Sequence, residues 1–404
     1  MANTPWWKTR RAAVTATFAA VAAAYAVTCA ALDPRVEVDP PRVDAAMRAA
    51  ADYLVRHAGA DGRFVYEVDG AGAPVGGGRY NVLRHAGAIY SLAMYHELRP
   101  TPAVRDTLVR AARTLRARHV APVAGLPGRS AVFSLPGEEA GGAREAKLGG
   151  AGLGLVALIA ARALDPSVVD VDTLRQIGAF VEFMQRPDGS FRSKYSERDA
   201  FARDFDSLYY PGEAILGVAM LYEIDRDPRW LSLALRAARA LIDRQRKMAR
   251  LPNDHWLMIA IARLLPHVAD AVDPPVTRDE LVAHAIALGD AMRREQRWTR
   301  LVPGAAGAFT PDARVTPTTT RLEGLAAIAL AVGSDHPARA RFAEAIEDGI
   351  AFALACQVAA GPHRGGFRRA LRRWFVGDDW QHVRVDYVQH ALSALVGYAK
   401  IRGM

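Results

Sequence analysis

The chain has 404 residues, 51% of them apolar and 24% charged, with a net charge of +9. This composition excludes a disordered chain and provides ample material for a large core. Only Cys29 and Cys356 are present, which excludes a disulfide framework and a zinc held by cysteines. The basic excess is arginine rather than lysine and suits carboxylate or phosphate groups. No basic stripe with interleaved aromatics appears, so nucleic acid is not an expected partner.

At the start, Lys8, Arg10 and Arg11 precede AAVTATFAAVAAAYAVTCAAL, an apolar run of about 21 residues that ends at Asp33-Pro34. Residues 1–34 are therefore expected to be an export signal or a membrane anchor. That implies a periplasmic or extracellular location, with a tether to the inner membrane if the segment is retained. Residues 35–404 are expected to form one domain.

Beyond Val43, apolar residues recur at helical spacing and strand-like alternation is scarce. Helices are predicted near 42–58, 82–98, 102–118, 146–164, 170–186, 211–225, 228–249, 253–268, 276–297, 318–333, 336–357 and 384–401. Every second one, such as KLGGAGLGLVALIAAR, is apolar nearly all round and belongs inside. The others, such as VRDTLVRAARTLRARH, have a charged face and belong outside. Inner helices begin at intervals of roughly 65 residues, with one shorter step near residue 254. Several outer helices close on a similar phrase, RHAGADGRF, MQRPDGSF or CQVAAGPHRGGF, in which a glycine turn is followed by an aromatic. The fold class is all-α, with six hairpins of outer and inner helices closing into an (α/α)6 toroid.

This repeat pattern resembles the six-hairpin glycosidase-like toroids and the related helical toroids of terpene cyclases and prenyltransferases. The phrase QRPDGSF, Gln185 to Phe191, is similar to the Gln…Gly…aromatic repeat of those cyclases and speaks for architecture rather than chemistry. In such a toroid the inner helices run parallel, so their N-terminal ends surround one opening.

Polar residues do gather at those ends. RYNVLRHAG brings Arg79, Tyr80, Asn81, Arg84 and His85; later mouths bring Lys147, then Tyr209, Tyr210 and Glu213, then Asp254 and His255, then Arg321 and Glu323, then Trp380, Arg384, Asp386, Tyr387 and His390. Individually several have a simple structural reading. Asp254, Asp386 and the Thr318–Thr320 run fit helix caps or first-turn acids, and His85 and His390 fit hydrogen-bonded core histidines. Glu213, Asp254, Glu323 and Asp386 are the candidate catalytic acids, since glycoside hydrolysis needs one protonated and one ionised carboxyl. The remaining residues are the candidate glycan-binding set.

Three functions stay open. The first is an exported glycosidase-like hydrolase acting on an envelope or extracellular glycan. The second is a uronate C5-epimerase or polysaccharide lyase using Tyr or His as base and Arg as enolate partner. VRVDYVQHALSALVGY resembles the closing segment of glucuronyl C5-epimerases and carries that reading. The third is a glycan-binding or envelope-assembly protein without catalysis. Asp378-Asp379 stands without the third acid that a prenyl-diphosphate site needs. There is no Walker loop, Rossmann glycine pattern, HExxH or GxSxG. No cofactor or metal is expected.

Overall fold

A computed structural model describes residues 6–34, 36–76, 79–139, 144–198, 200–201 and 205–404, with side chains from residue 14 onward. The side chains of Lys8, Arg10 and Arg11 lie outside the described residues. Helix α1 spans Trp6–Leu32. Six outer helices follow, α2 (Pro40–Arg56), α4 (Pro102–His119), α6 (Val171–Met184), α8 (Pro228–Arg246), α10 (Arg278–Thr299) and α12 (Pro337–Cys356). Alternating with them are six inner helices, α3 (Val82–Leu98), α5 (Leu148–Leu164), α7 (Tyr210–Asp225), α9 (His255–Leu264), α11 (Val315–Ala331) and α14 (Val385–Arg402). A single turn, α13 (Arg373–Val376), precedes the last inner helix. Each inner helix packs on the next, and α14 packs back on α3, which closes the ring.

Glycine lets the inner helices approach closely. A Cβ on Gly217 would stand 2.5 Å from the Gly152 carbonyl oxygen, and one on Gly212 would stand 2.6 Å from the Leu257 nitrogen. Both obstacles are backbone and cannot swing aside.

The recurring turn phrase fastens one hairpin to the next. Gln185 pairs with Phe191 across a bridge, as Gln357 does with Phe367 and Ala58 with Phe64, and the three phenylalanines are buried. Gly189 reverses the chain with φ +85°, and Gly62 and Gly365 take the same conformation. The Gln185 amide donates both to its own turn at Gly189 and to the Leu233 carbonyl on α8. Gln357 does likewise to Gly365 and to Ala46 on α2, and Gln296 to Gly307 and to Ala345 on α12.

Short strands add what periodicity did not reveal. Strands β2 (Val120–Pro122), β3 (Ser130–Ser134), β4 (Glu145–Lys147), β5 (Lys194–Ser196) and β6 (Ala200–Phe201) form one antiparallel sheet in chain order. A two-stranded pair joins β1 (Glu67–Val68) to β7 (Val383–Arg384), with Glu67 opposite Arg384. Helix α11 begins at Val315, earlier than expected, because Pro317 falls in the first turn where its missing N–H has no acceptor to serve. The run Thr318–Thr320 is therefore not a cap. Its hydroxyls bond back to the carbonyls of Arg314, Val315 and Pro317.

Replacing Gly217 by Val should lower stability by about 1–3 kcal/mol through overpacking against the α5 backbone. A urea midpoint unchanged from the parent protein would show that α5 and α7 are not in this contact.

Candidate functional site

The outer helices all begin with a side-chain cap, from Asp39, Thr101, Asp170, Asp227, Thr277 or His336. Among the inner helices only α3 and α9 do, through Asn81 and Asp254. At the heads of α5, α7, α11 and α14 the cap positions are Lys147, Tyr209, Arg314 and Arg384, and no side chain accepts from the helix. Four sets of first-turn N–H groups, each a positive dipole end, are thus left without a side-chain cap at the end of the toroid where the cavity lies.

A cavity of about 470 Å³ opens there, within the usual size of small-molecule clefts. Every inner helix contributes to its wall, through Asn81 and Arg84, Leu153, Tyr210 and Glu213, His255 and Trp256, Thr320 and Arg321, and Asp386, Gln389 and His390. A larger cleft of about 660 Å³ lies between the α6 exit turn and α8. There Arg186 and Arg244 face Asp206 at 3.9 and 3.7 Å, and the cleft holds none of the buried titratable residues that converge in the smaller cavity.

At the cavity floor three side chains meet. The Nδ1 of His390 lies 3.0 and 3.2 Å from the two carboxylate oxygens of Glu323. The Nε2 of His255 is 3.9 Å from the same carboxylate, beyond hydrogen-bond reach. The two imidazole rings are 5.9 Å apart and nearly perpendicular. Both ring nitrogens of His255 are buried without a partner among the described residues. Burial, reinforced by the neighbouring His390 and Arg321, holds the His255 pKa well below its ordinary value. Burial acts on His390 in the same direction, but the Glu323 carboxylate outweighs it and leaves that pKa raised. Two histidines side by side are thus pushed toward opposite protonation states. Ligand atoms of His255, Glu323 and His390 also lie within 4.8 Å of one another, close enough to share one metal ion.

The wall above is charged unevenly. Asp386 sits between Arg84 at 3.1 Å and Arg384 at 2.6 Å, and these guanidiniums overcome burial to lower its pKa. Glu213 has no such partner among the described residues, where its Oε2 is unpaired, and burial, with the nearby Asp254 carboxyl, pushes it up to about 8. Arg321 donates to the Pro317 carbonyl at 2.7 Å and approaches Glu295 at 3.5 Å, while its Nε has no partner among the described residues. Tyr209, Trp256 and His255 form an aromatic side, with Tyr209 edge-on to His255 at 5.3 Å.

The structure separates the sequence candidates. Glu213, Asp386, Asn81, Arg84, Tyr209, Tyr210, His255, Arg321 and His390 line the cavity, and Glu323 lies behind His390. Asp254 is fully buried and caps α9, accepting from the Leu257 N–H and the Gln245 amide. His85 is a core histidine, bonded to Tyr80 at 2.5 Å and to the Ala111 carbonyl at 2.9 Å, and it takes Tyr80 with it. Arg79 is exposed and outside the wall. Lys147 pairs with Glu139 and Glu145. Tyr387 is buried against the Arg384 guanidinium, and Trp380 lies against Arg368. Gln389, Arg314 and Thr316 join the wall without having been singled out, as does Thr320, which the sequence marked only as part of a cap. Gln389 had a signal, one position before His390 on the last inner helix.

Comparison with solved structures shows where this fold occurs. A D-mannose isomerase superposes with a TM-score of 0.65 at 12% identity, covering 91% of this chain and 98% of the other. The cellobiose 2-epimerase of Spirochaeta thermophila gives 0.61 at 12%, covering 90% and 98%. An alpha-1,6-mannanase of Salegentibacter gives 0.60 at 11%, covering 89% and 99%. No family model matches the chain, and a search of curated sequences finds no match.

The carboxyls make stability depend on pH. Glu213 and Asp254 are raised to about 8 and about 7 from ordinary values of 4.5 and 3.8, so the folded chain holds protons that the unfolded chain has released. Their contribution is complete below those ordinary values and is lost as pH rises through about 7 to 8. The lowered histidines act in the opposite sense only below their ordinary 6.5. Melting temperature should therefore fall between about pH 6.5 and pH 8 and level off above, and Glu213→Gln should flatten that fall. An equal slope in parent and variant would mean that Glu213 is ionised in the fold.

At the level of fold, the chain is a six-hairpin (α/α)6 toroid, the architecture of these isomerase, epimerase and mannanase structures.

Proposed function

We propose that the protein is an exported carbohydrate-active enzyme that moves a proton at a sugar carbon, with His255 and His390 as its acid–base pair. One observation carries this: two histidines face each other at the floor of the cavity, one held neutral and the other held toward its protonated form by Glu323. A base and an acid of the same residue type, tuned apart by their surroundings, are what proton transfer at carbon requires.

In this reading His255 removes the proton beside a sugar carbonyl or carboxylate. The charge that develops on oxygen is met by Arg321, whose Nε is unpaired, and by the uncapped helix heads. His390 then returns a proton. Delivered to the opposite face of the same carbon it gives an epimer, to the neighbouring carbon an isomer, and to a departing oxygen an elimination product. Glu323 orients His390 and maintains its charge, while Tyr209 and Trp256 offer faces on which a sugar ring stacks. Solved structures of this fold described as a D-mannose isomerase, a cellobiose 2-epimerase and a polysaccharide lyase support the reading.

Hydrolysis is the second reading, and one feature favours it. Glu213 and Asp386 line the same cavity with pKa values shifted in opposite directions, which is the division a glycosidase needs between its acid and its base. Both oxygens of Asp386 are already engaged by arginines, which leaves it poorly placed to activate water.

Incubation with neutral and uronate-containing sugars in heavy water separates the two. Proton transfer should place deuterium on carbon, and His255→Gln or His390→Gln should each lower kcat by roughly 100-fold or more. Activity should fall on the alkaline side as His390 loses its proton, and that limb should vanish in His390→Gln. New reducing ends without deuterium on carbon, lost in Glu213→Gln, would replace this reading with hydrolysis.

A further inference from the structure

Helix α1 is fixed to the toroid by its C-terminal end. The Tyr25 hydroxyl donates to the Leu301 carbonyl at 2.6 Å and Arg372 donates to the Leu32 carbonyl at 3.1 Å. Asp33 accepts from the N–H groups of Gly304 and Ala306 at 3.1 and 3.2 Å, and Cys29 is buried. The segments that grip it are the connections from α10 to α11 and from α12 to α14. The same connections lead into Thr310 and Arg314 and into Asp386 of the cavity wall. The exit of α1 and the mouth of the cavity therefore share one end of the toroid.

That placement takes extra chain. Outer helices start at the end opposite the mouth, so α2 begins far from the seat of α1. Between Asp33 and Pro40 the chain can span about 23 Å when extended, close to the ~25 Å length of α2. Val36 and Val38 are half-buried against the core along this strap. The strap thus returns the chain from the mouth to the far end while leaving α1 at the mouth.

The rim around the seat is apolar and basic. Trp298, Leu301 and Trp374 are 71%, 55% and 60% exposed. Leu301 bonds back to Trp298 within one turn, and the Arg372 guanidinium lies 5.0 Å from the Trp374 ring centre. Arg297, Arg300 and Arg373 are exposed beside them, Arg300 paired with Asp348 and Arg373 with Asp378. One exposed apolar side chain needs no explanation. Two tryptophans and a leucine interleaved with arginines, at the foot of a helix whose Val14–Leu32 stretch is long and apolar enough to cross a bilayer, have the composition of a membrane interface. There, indole rings settle among headgroups and guanidiniums meet lipid phosphates.

We propose that this rim rests on an anionic bilayer surface while α1 spans it, so that the cavity opens onto the headgroup layer. Only the consequence for substrate, a glycan within reach of that layer, rests on the carbohydrate reading. The membrane contact stands on the rim itself.

The test is tryptophan fluorescence of the full chain in phosphatidylcholine vesicles containing phosphatidylglycerol and a lipid with its quencher near the headgroup. Shallow quenching is expected, and Trp298→Phe with Trp374→Phe should roughly halve it. Raising the phosphatidylglycerol fraction should strengthen it. Shallow quenching that is the same in the double variant as in the parent overturns the proposal, as does quenching indifferent to anionic lipid. Both side chains are exposed, so the helical circular dichroism should be unchanged; if it is not, a nitroxide on Leu301→Cys reads the same depth, and a water-exposed signal overturns the proposal. No turnover enters the readout, so its failure is separable from failure of the carbohydrate reading.

Discussion

Six inner helices can stand side by side only because glycine occupies their points of contact, and most of the chemistry follows from that crowding. The approach of Gly217 to the Gly152 carbonyl, and of Gly212 to the backbone of α9, leaves the ring no room for side chains between neighbours. Parallel helices this close bring their N-termini to one place, with aligned dipole ends. Outer helices carry a side-chain cap from Asp, Thr or His, whereas four inner helices do not, and the first N–H of α5, α11 and α14 goes to a backbone carbonyl instead. The cavity is therefore electropositive by construction before any arginine is counted.

Against that background the buried ionisable groups divide into those that are compensated and those that are not. Asp386 is held by two guanidiniums, and Glu323, which burial pushes upward, is paired with His390. His255 and Glu213 have no such partner among the described residues, and each is kept neutral by its surroundings. A neutral imidazole with two unpartnered nitrogens in a closed site is costly to leave unsatisfied. His85 found a carbonyl, that of Ala111, whereas His363 is also unpartnered among the described residues but lies outside the cavity. What sets His255 apart is that its unpartnered nitrogens lie in the cavity wall beside Glu323 and His390.

The sequence made the toroid legible because burial on all sides leaves a compositional mark: six helices rich in Gly, Ala, Leu and Ile alternate with six that have a charged face. It also placed most of the cavity wall, since polar residues ahead of such helices have few other reasons to be there. Partners distant in the chain were not legible. His255, Glu323 and His390 lie on three different helices, and nothing local to any of them announces the other two. Lys147 was misleading because its partners Glu139 and Glu145 lie on and beside short strands that periodicity did not reveal. Glu323 lies deeper than its sequence setting implied because α11 starts before Pro317 rather than after it. His85, by contrast, carried a readable warning: Tyr80, five residues earlier, was near enough to become its partner.

The repeat is informative where it fails. At the ends of α6, α10 and α12 a glutamine closes its own turn and reaches the next outer helix, a fastening that serves architecture alone. At the end of α8 the equivalent Gln245 still reaches the next outer helix, at His284 on α10, but does not close its own turn. Its amide nitrogen donates to Asp254 at 2.8 Å, and its carbonyl oxygen accepts from the His284 ring at 2.8 Å. Asp254 in turn accepts from the Leu257 N–H and so fixes the first turn of α9, whose first residue is His255. A fastening that elsewhere serves architecture alone here also holds a cap, and the cap sets the position of His255. This is also the hairpin in which the inner-helix spacing shortens. The irregular step near residue 254 thus coincides with the one hairpin, among the described residues, whose glutamine holds the cap of its inner helix.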